Sequence, residues 1–385
     1  MQIFDYFDPV DFSQFPELEK SAGKYSLGYF VESFTKKLSV SNIAKANIVL
    51  FGVPLDNGKV DTGAAAAPNL IRKEMYRLAA LNSKLNIADL GNLKPASSQK
   101  GTFLALRDVV EYLYELGVVT VVIGGSQDLT AGICQAFKNN RFFSLASVDA
   151  ILDIKKGVET FHSRNYLTRI FKQLPNLFRF SLIGYQNHLV GEKLINKIPD
   201  FTEHLRLGML REKFSVAEPL MRNSDVLSFD MGVLKFSEAP GTPQKNPNGL
   251  RAEEACQLAR YAGTSGRLKV FGLFETNPVD DINETTIKLA AEIIWYFMEG
   301  YKIRKREADF TKENKIVYKV EIDDLDQPIV FLHEQETNWW WFEINSMAGE
   351  TAVFACSEED YKLAASNEIP GKWLDYIQKM DALSK

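Results

Sequence analysis

Four apolar segments of this chain each run into acidic or amide side chains. VVTVVI leads into GGSQD, with Gln127 and Asp128; FSLASVDAILD delivers Asp149 and Asp153; DVLSFD ends at Asp230 and LKVFGLFE at Glu275. If the segments are parallel strands, these five carboxylates and one amide share a rim, because ligands in open α/β sheets bind beyond the strands' carboxyl ends. Like charges held close in a dry site cannot all stay ionised without a counter-charge. A hard cation such as Mn²⁺, Mg²⁺ or Ca²⁺, nearby basic side chains, or raised pKa values would relieve them. A single such acid more often caps the helix that follows. Several strand ends of this kind in one chain favour a site.

The elements that would place these groups are legible as an alternation. NIVLFGVP (47–54), VVTVVI (118–123), FSLASVD (143–149), FRFSLIG (178–184), DVLSFD (225–230) and LKVFGLFE (268–275) are short and rich in β-branched or aromatic residues, as buried strands are. Helical patterns lie between them. Pro68 opens one that carries Ile71, Met75 and Leu78; residues 103–116 set Phe103, Leu106, Val110 and Leu113 in one stripe; others fall at about 129–138, 251–263 and 284–299. Continuous apolar strands alternating with amphipathic helices predict a three-layer α/β/α domain with a mainly parallel sheet over residues 47–300. Residues 1–46 are read as an N-terminal extension.

The pattern changes after residue 300. A charged linker, YKIRKREADFTKENK, precedes KIVYKVEI, PIVFLHE, NWWWFEI and TAVFAC, and helices at about 357–366 and 370–382 close the chain. Strands without intervening helices predict a small antiparallel sheet in a C-terminal module, residues 301–385. In NWWWFEI, alternation sends Trp339 and Trp341 to one face and Trp340 and Phe342 to the other. Both faces are therefore expected to be buried, against the main domain or another subunit.

Bulk properties narrow the function class. A chain of 385 residues exceeds one typical core. Its 45% apolar and 25% charged content is that of a globular protein and sets aside disorder, collagen and coiled coil. A net charge of −5 with interspersed signs argues against nucleic-acid binding. The cluster Lys302, Arg304, Lys305, Arg306 is followed at once by acids and reads as solvated linker. Cys134, Cys256 and Cys356 lie far apart, which gives neither a disulfide framework nor a zinc pair. No apolar run nears the ~20 residues of a membrane-spanning helix, and the acidic start lacks a signal-peptide pattern. The expected compartment is the cytoplasm.

Taken in order, the motifs resemble the ureohydrolase superfamily, the binuclear manganese enzymes that include arginase, agmatinase and formimidoylglutamase. The resemblance spans about residues 47–300. GVPLDNGKVDTGAAAAPNLIR is similar to the family's opening motif, with Gly52, Pro54, Gly58, Gly63, Pro68 and Arg72 in place, and IADLGN (87–92) to its second strand. GGSQD stands where the family has Gly-Gly-Asp-His-Ser, SVDAILD for Asp-Ala-His-x-Asp, and SFDMGVL for Ser-x-Asp-x-Asp. APGTPQKNPNGL (239–250) is close to its Ala-Pro-Gly-Thr loop, and FETNPVDD (274–281) to its Glu-Val-Asn-Pro segment.

That resemblance implies hydrolysis of C–N bonds in linear amidines or guanidines, and it also exposes a defect. In the family two histidines and four aspartates hold the metals. Carried over position by position, the histidines are Gln127 and Ile151, and the last aspartate is Gly232; Asp149, Asp153 and Asp230 remain. Isoleucine and glycine side chains donate no lone pair. Gln127, Asp149, Asp153 and Asp230 would hold at most one divalent cation (Mn, Mg or Ca), and a two-manganese cluster is not expected. The family's nucleophile is a hydroxide acidified by two metals about 4 Å apart, so amidine hydrolysis is expected to be absent or strongly reduced.

Glu275 occupies the family position that pairs with the substrate's cationic amidine, or else caps the loop before Pro278. His162 is read either as a proton-shuttling residue or as a loop histidine. Asn165 is placed to meet a substrate's polar tail. Asp128 offers a substitute ligand if its loop shifts. His188, His204 and His333 have no metal-like spacing. Three readings stand: a family member without catalysis, a divergent amidine hydrolase with one metal or a rearranged site, and a ligand-binding or assembly protein acting through the C-terminal module. The resemblance implies a small amidine or guanidine as ligand and self-association as a homo-oligomer.

Overall fold

The computed structural model describes residues 2–11, 13, 23, 25–34, 38–55, 63–81, 85–155, 161–195, 198, 201–304, 315–347 and 349–383. Gly58 of the opening motif and Lys305 and Arg306 of the linker lie outside the described residues.

Among those residues ten strands form the main sheet: β1 (Phe7–Asp8), β2 (Val31–Ser33), β3 (Ile48–Val53), β4 (Ile87–Leu93), β5 (Val119–Gly124), β6 (Phe143–Val148), β7 (Leu177–Tyr185), β8 (Thr202–Arg206), β9 (Val226–Asp230) and β10 (Val270–Phe274). Their order is β1-β4-β3-β5-β10-β9-β6-β7-β8, with β2 also on β4. The β1–β4 pair is antiparallel and the others are parallel. The central strands are buried on both faces, which is why they read as unbroken apolar runs. The N-terminal residues contribute β1 and β2 at the β4 edge.

Two helical layers cover the sheet. On one side lie α1 (Ala67–Arg77), α5 (Ala217–Arg222), α6 (Ala252–Thr264) and α7 (Thr285–Tyr301). On the other lie α2 (Gln99–Glu115), α3 (Leu129–Gln135) and α4 (Tyr166–Gln173). The three-layer expectation is met. Sequence reading passed over β8 because TEHLR is a half-exposed edge strand in which Leu205 alone is buried, so no apolar run marks it. The short helices α4 and α5 were passed over too.

The C-terminal module has an antiparallel sheet, β11 (Ile316–Val320), β12 (Ile329–Glu334), β13 (Trp339–Asn345) and β14 (Thr351–Cys356), followed by α8 (Glu358–Ala365) and α9 (Gly371–Leu383). Trp340, Phe342 and Ile344 enter a core shared with Phe354, Tyr376 and Phe178 of β7. The opposite face of β13 is only half-buried, which corrects the expectation of full burial on both sides. There Trp339 and Trp341 flank the Arg222 guanidinium, with ring centroids 5.0 and 4.8 Å away, a cation–π contact to the main domain. Asn223 acts as a strand neighbour to β14: its Nδ2 donates to the Ala355 carbonyl (2.9 Å) and its Oδ1 accepts from the Ala355 N–H (2.7 Å). Among the described residues no helix is long and apolar enough to cross a membrane.

Candidate functional site

The strands β5, β10, β9 and β6 are consecutive neighbours and mutually parallel. Their carboxyl ends therefore lie at one edge, where Asp230 closes β9 and the turns beyond the other three strands carry Gln127, Glu275 and Asp149. Gln127, Asp153, Asp230 and Glu275 line one cavity together with Ser163, Arg164 and Gln244. The free space among them is about 10 Å³, the lower limit for a single water molecule.

Gln127 sits at the centre of a closed hydrogen-bond set. The amide orientation that satisfies its neighbours turns Nε2 towards Asp153 Oδ2 (3.1 Å) and Asp149 Oδ2 (3.2 Å). Its Oε1 then accepts from the hydroxyls of Tyr166, Ser147 and Ser228, at 3.2, 3.3 and 3.3 Å. The amide thus presents donors, not a lone pair, to the carboxylates.

Backbone and amide donors serve the other carboxylate oxygens. The Ile151 N–H donates to Asp149 Oδ1 (2.9 Å) and the Gly232 N–H to Asp230 Oδ1 (2.6 Å). Gln244 Nε2 reaches Asp230 Oδ2 at 3.3 Å. Asp153 Oδ1 is buried and has no hydrogen-bond partner. Among the described residues no group of three or more His, Cys, Asp or Glu is disposed to hold a metal ion.

Electrostatically the cluster is uncomfortable, as its composition foretold. Burial, then the neighbouring Asp230, pushes both Asp153 and Glu275 up to about 8. Burial, followed by Asp153 for one and Asp149 for the other, holds Asp149 and Asp230 well above the usual carboxylate range. The opposing charge is Arg164, which favours the ionised form of all four.

The remaining sequence candidates divide. Glu275 is brought to the cavity, but its Oε1 accepts from the Gln127 N–H (2.8 Å) while its own N–H donates to the Gly125 carbonyl (2.8 Å). It holds the β5 turn in place, in a left-handed conformation (φ 63°) that is costly for a residue other than glycine. Gly125 admits that turn: a Cβ there would lie 1.8 Å from the Leu55 carbonyl oxygen. His162 and Asn165 cap the short 3₁₀ turn Ser163–Asn165, His162 Nδ1 accepting from the Arg164 N–H (3.0 Å) and Asn165 Oδ1 from the His162 N–H (3.0 Å). Neither lines the cavity. Asp128 is directed to Ser126 and to Gln99 Nε2 (2.8 Å). His188 and His204 are exposed, and His333 stacks on Trp340 with centroids 4.1 Å apart.

Sequence reasoning missed Arg164, Gln244, Ser147, Ser228 and Tyr166. For Arg164 a signal existed: clustered carboxylates require a cation, and a basic residue stands beside His162 in FHSRNYL. Gln244 and the three hydroxyls carry no type or spacing that marks them.

Comparison with known proteins gives a consistent picture. A family model described as the arginase family matches residues 46–299. A formimidoylglutamase of Salmonella paratyphi C (strain RKS4594) is 24% identical over 294 residues, covering 71% of this chain and 88% of the relative. One from Enterobacter sp. (strain 638) is 24% identical over 267 residues, covering 66% and 85%. Among solved structures, Trypanosoma cruzi formiminoglutamase with Mn²⁺ has a TM-score of 0.62 at 25% identity, covering 68% of this chain and 95% of that one. The formimidoylglutamase of Bacillus subtilis has a TM-score of 0.64 at 17% identity, covering 76% and 98%, a likeness of fold alone.

Proposed function

Because the chain belongs to the arginase family, we propose that it keeps the ureohydrolase fold without the two-metal hydrolysis of linear amidines. The observation that carries this reading is the Gln127 side-chain amide, whose nitrogen, in the orientation that pairs its neighbours, lies 3.1 Å from Asp153 and 3.2 Å from Asp149. It stands between two carboxylates where a ligand would have to offer a lone pair. The residues present do not fit a pair of Mn²⁺ ions. Ile151 and Gly232 bring only backbone N–H groups, which repel a cation, and a site for a hard divalent ion needs several converging oxygens. The chain's own polar groups do the neutralising instead, with Arg164 as the resident cation.

A second reading is favoured by Asp153 Oδ1, the buried oxygen without a partner. If the Gln127 amide turned over, that oxygen with Asp149 and Asp230 would offer a single-cation site. Glu275 would then be the carboxylate for a cationic amidine, and the names of the relatives make a formimidoyl compound the first substrate to try.

Elemental analysis after incubation with excess Mn²⁺ and desalting separates these. The proposal expects no bound ion and no hydrolysis of formimidoylglutamate. One ion per chain with turnover would favour the second reading, and two ions would overturn the proposal.

A further inference from the structure

We propose that the cleft between α2, α3 and α4 binds a small amphiphilic carboxylate, a body of about one ring carrying a single negative head. Its volume is about 140 Å³, against about 10 Å³ at the carboxylate rim, and no residue lines both. An apolar cavity near 150 Å³ holds benzene, whereas pockets for drug-sized ligands run to roughly 300–1,000 Å³. Size therefore selects one ring or a branched aliphatic group.

The lining sets the charge. Apolar Phe103, Leu104 and Ala131 meet the cations Lys100, Arg107 and Arg169, with no carboxylate among the described lining residues. Arg107 is bound to Asp108 (2.6 Å); among the described residues no acid pairs with Lys100 or Arg169. Arg169 is nonetheless held ready. Its Nε donates to Gln173 Oε1 (3.1 Å) and its guanidinium lies 4.6 Å over the Phe161 ring, which meets Phe103 edge-on at 5.4 Å. These contacts fix the fork without neutralising it, and a planar guanidinium fork matches a planar carboxylate. A cation of the same shape would be repelled. The cleft shares no lining residue with the rim, so the proposal does not depend on whether the rim is catalytic.

The test is calorimetric titration of the full chain with benzoate, with benzamidine as cationic and benzyl alcohol as neutral counterpart. Benzoate is expected to bind at least about tenfold more tightly than either, the scale of one charge-assisted contact. Arg169→Gln should weaken it by a similar factor. Leu104→Trp, at a position 43% exposed, should abolish binding while leaving Tm unchanged. Equal binding of the three probes, benzoate binding that survives both substitutions, or no benzoate binding would overturn the proposal.

Discussion

Gln244 fills the space that a side chain at Gly232 would need. A Cβ at Gly232 would lie 2.9 Å from both Cδ and Nε2 of Gln244, and that same Nε2 donates to Asp230 Oδ2 at 3.3 Å. The missing Cβ at Gly232 and the Gln244 amide on Asp230 are two sides of one packing arrangement. Restoring an acid alone, Gly232→Asp, should therefore overpack the site and cost about 1–3 kcal/mol in urea unfolding, without gain of Mn²⁺. Gly232→Asp with Gln244→Ala should recover much of that loss. Equal stability of the single and double variants would show that the two positions are independent.

Gln127 tests the idea that an amide has taken over the work of a cation. Gln127→Leu keeps the volume and removes both donors to Asp149 and Asp153 as well as the acceptor for three hydroxyls. Leaving buried polar groups unpaired costs about 1–3 kcal/mol each, so a clear drop in unfolding free energy is expected. Should Mn²⁺ restore the stability of this variant and leave the parent unaffected, the amide is the substitute for the ion.

Arg164 lines the same cavity and is the cation that favours the ionised form of its carboxylates. Arg164→Gln should destabilise the chain, and Asp153→Asn should relieve part of that loss because it removes one of the charges left uncompensated. The expected coupling in a double-mutant cycle is roughly 0.5–1 kcal/mol, at the low end because Arg164 is only partly buried. Strict additivity would place the counter-charge elsewhere.

These couplings mark where sequence reading stops. The central strands were legible because burial on both faces demands unbroken Val, Ile, Leu and Phe, as in β5 and β6. The rim acids were legible because they follow those strands directly. Ile151 and Gly232 could be set against the family's ligand positions by the order of the motifs alone. What surrounds the acids could not, since Gln244 lies in a loop and Arg164 in a short 3₁₀ turn, and they act through the direction of one amide and one guanidinium. The role of Gln127 was legible only in part. Residue type gave a weak ligand, whereas the three hydroxyls that take its oxygen come from β6, β9 and α4 and meet only in the fold.

Acid should loosen the seat of the C-terminal module. Glu203 of β8 accepts from Arg179 Nη2 (3.0 Å) and lies 3.8 Å from Lys372 of α9. Burial alone would raise its pKa, but Lys372 and Arg179 together outweigh it and hold the carboxyl below its ordinary 4.5. A depressed folded-state pKa contributes stability above the unfolded value and loses it as pH falls through the folded one. Stability should thus decline from about pH 4.5 downwards, and Glu203→Gln should flatten that part of the profile while lowering the plateau at neutral pH. An unchanged acid limb would exclude this group.

The contacts of the module with the main domain lead to the expectation that it is integral to the fold and not a detachable assembly arm. Removing residues 315–385 would uncover Phe178, which is fully buried and stacks on Phe354 with ring centroids 5.2 Å apart. It would also strand the Asn223 amide, leave Arg222 without its tryptophans, and break the Lys213–Glu359 pair. Exposed apolar surface of that kind leads to aggregation, so the truncated chain should be insoluble or strongly destabilised. The gentler probe is Asn223→Ala, which removes both contacts to the Ala355 backbone and should cost about 1–3 kcal/mol in a single cooperative transition. A soluble, monomeric truncation of parental stability, derived from an oligomeric parent, would instead assign the module to assembly.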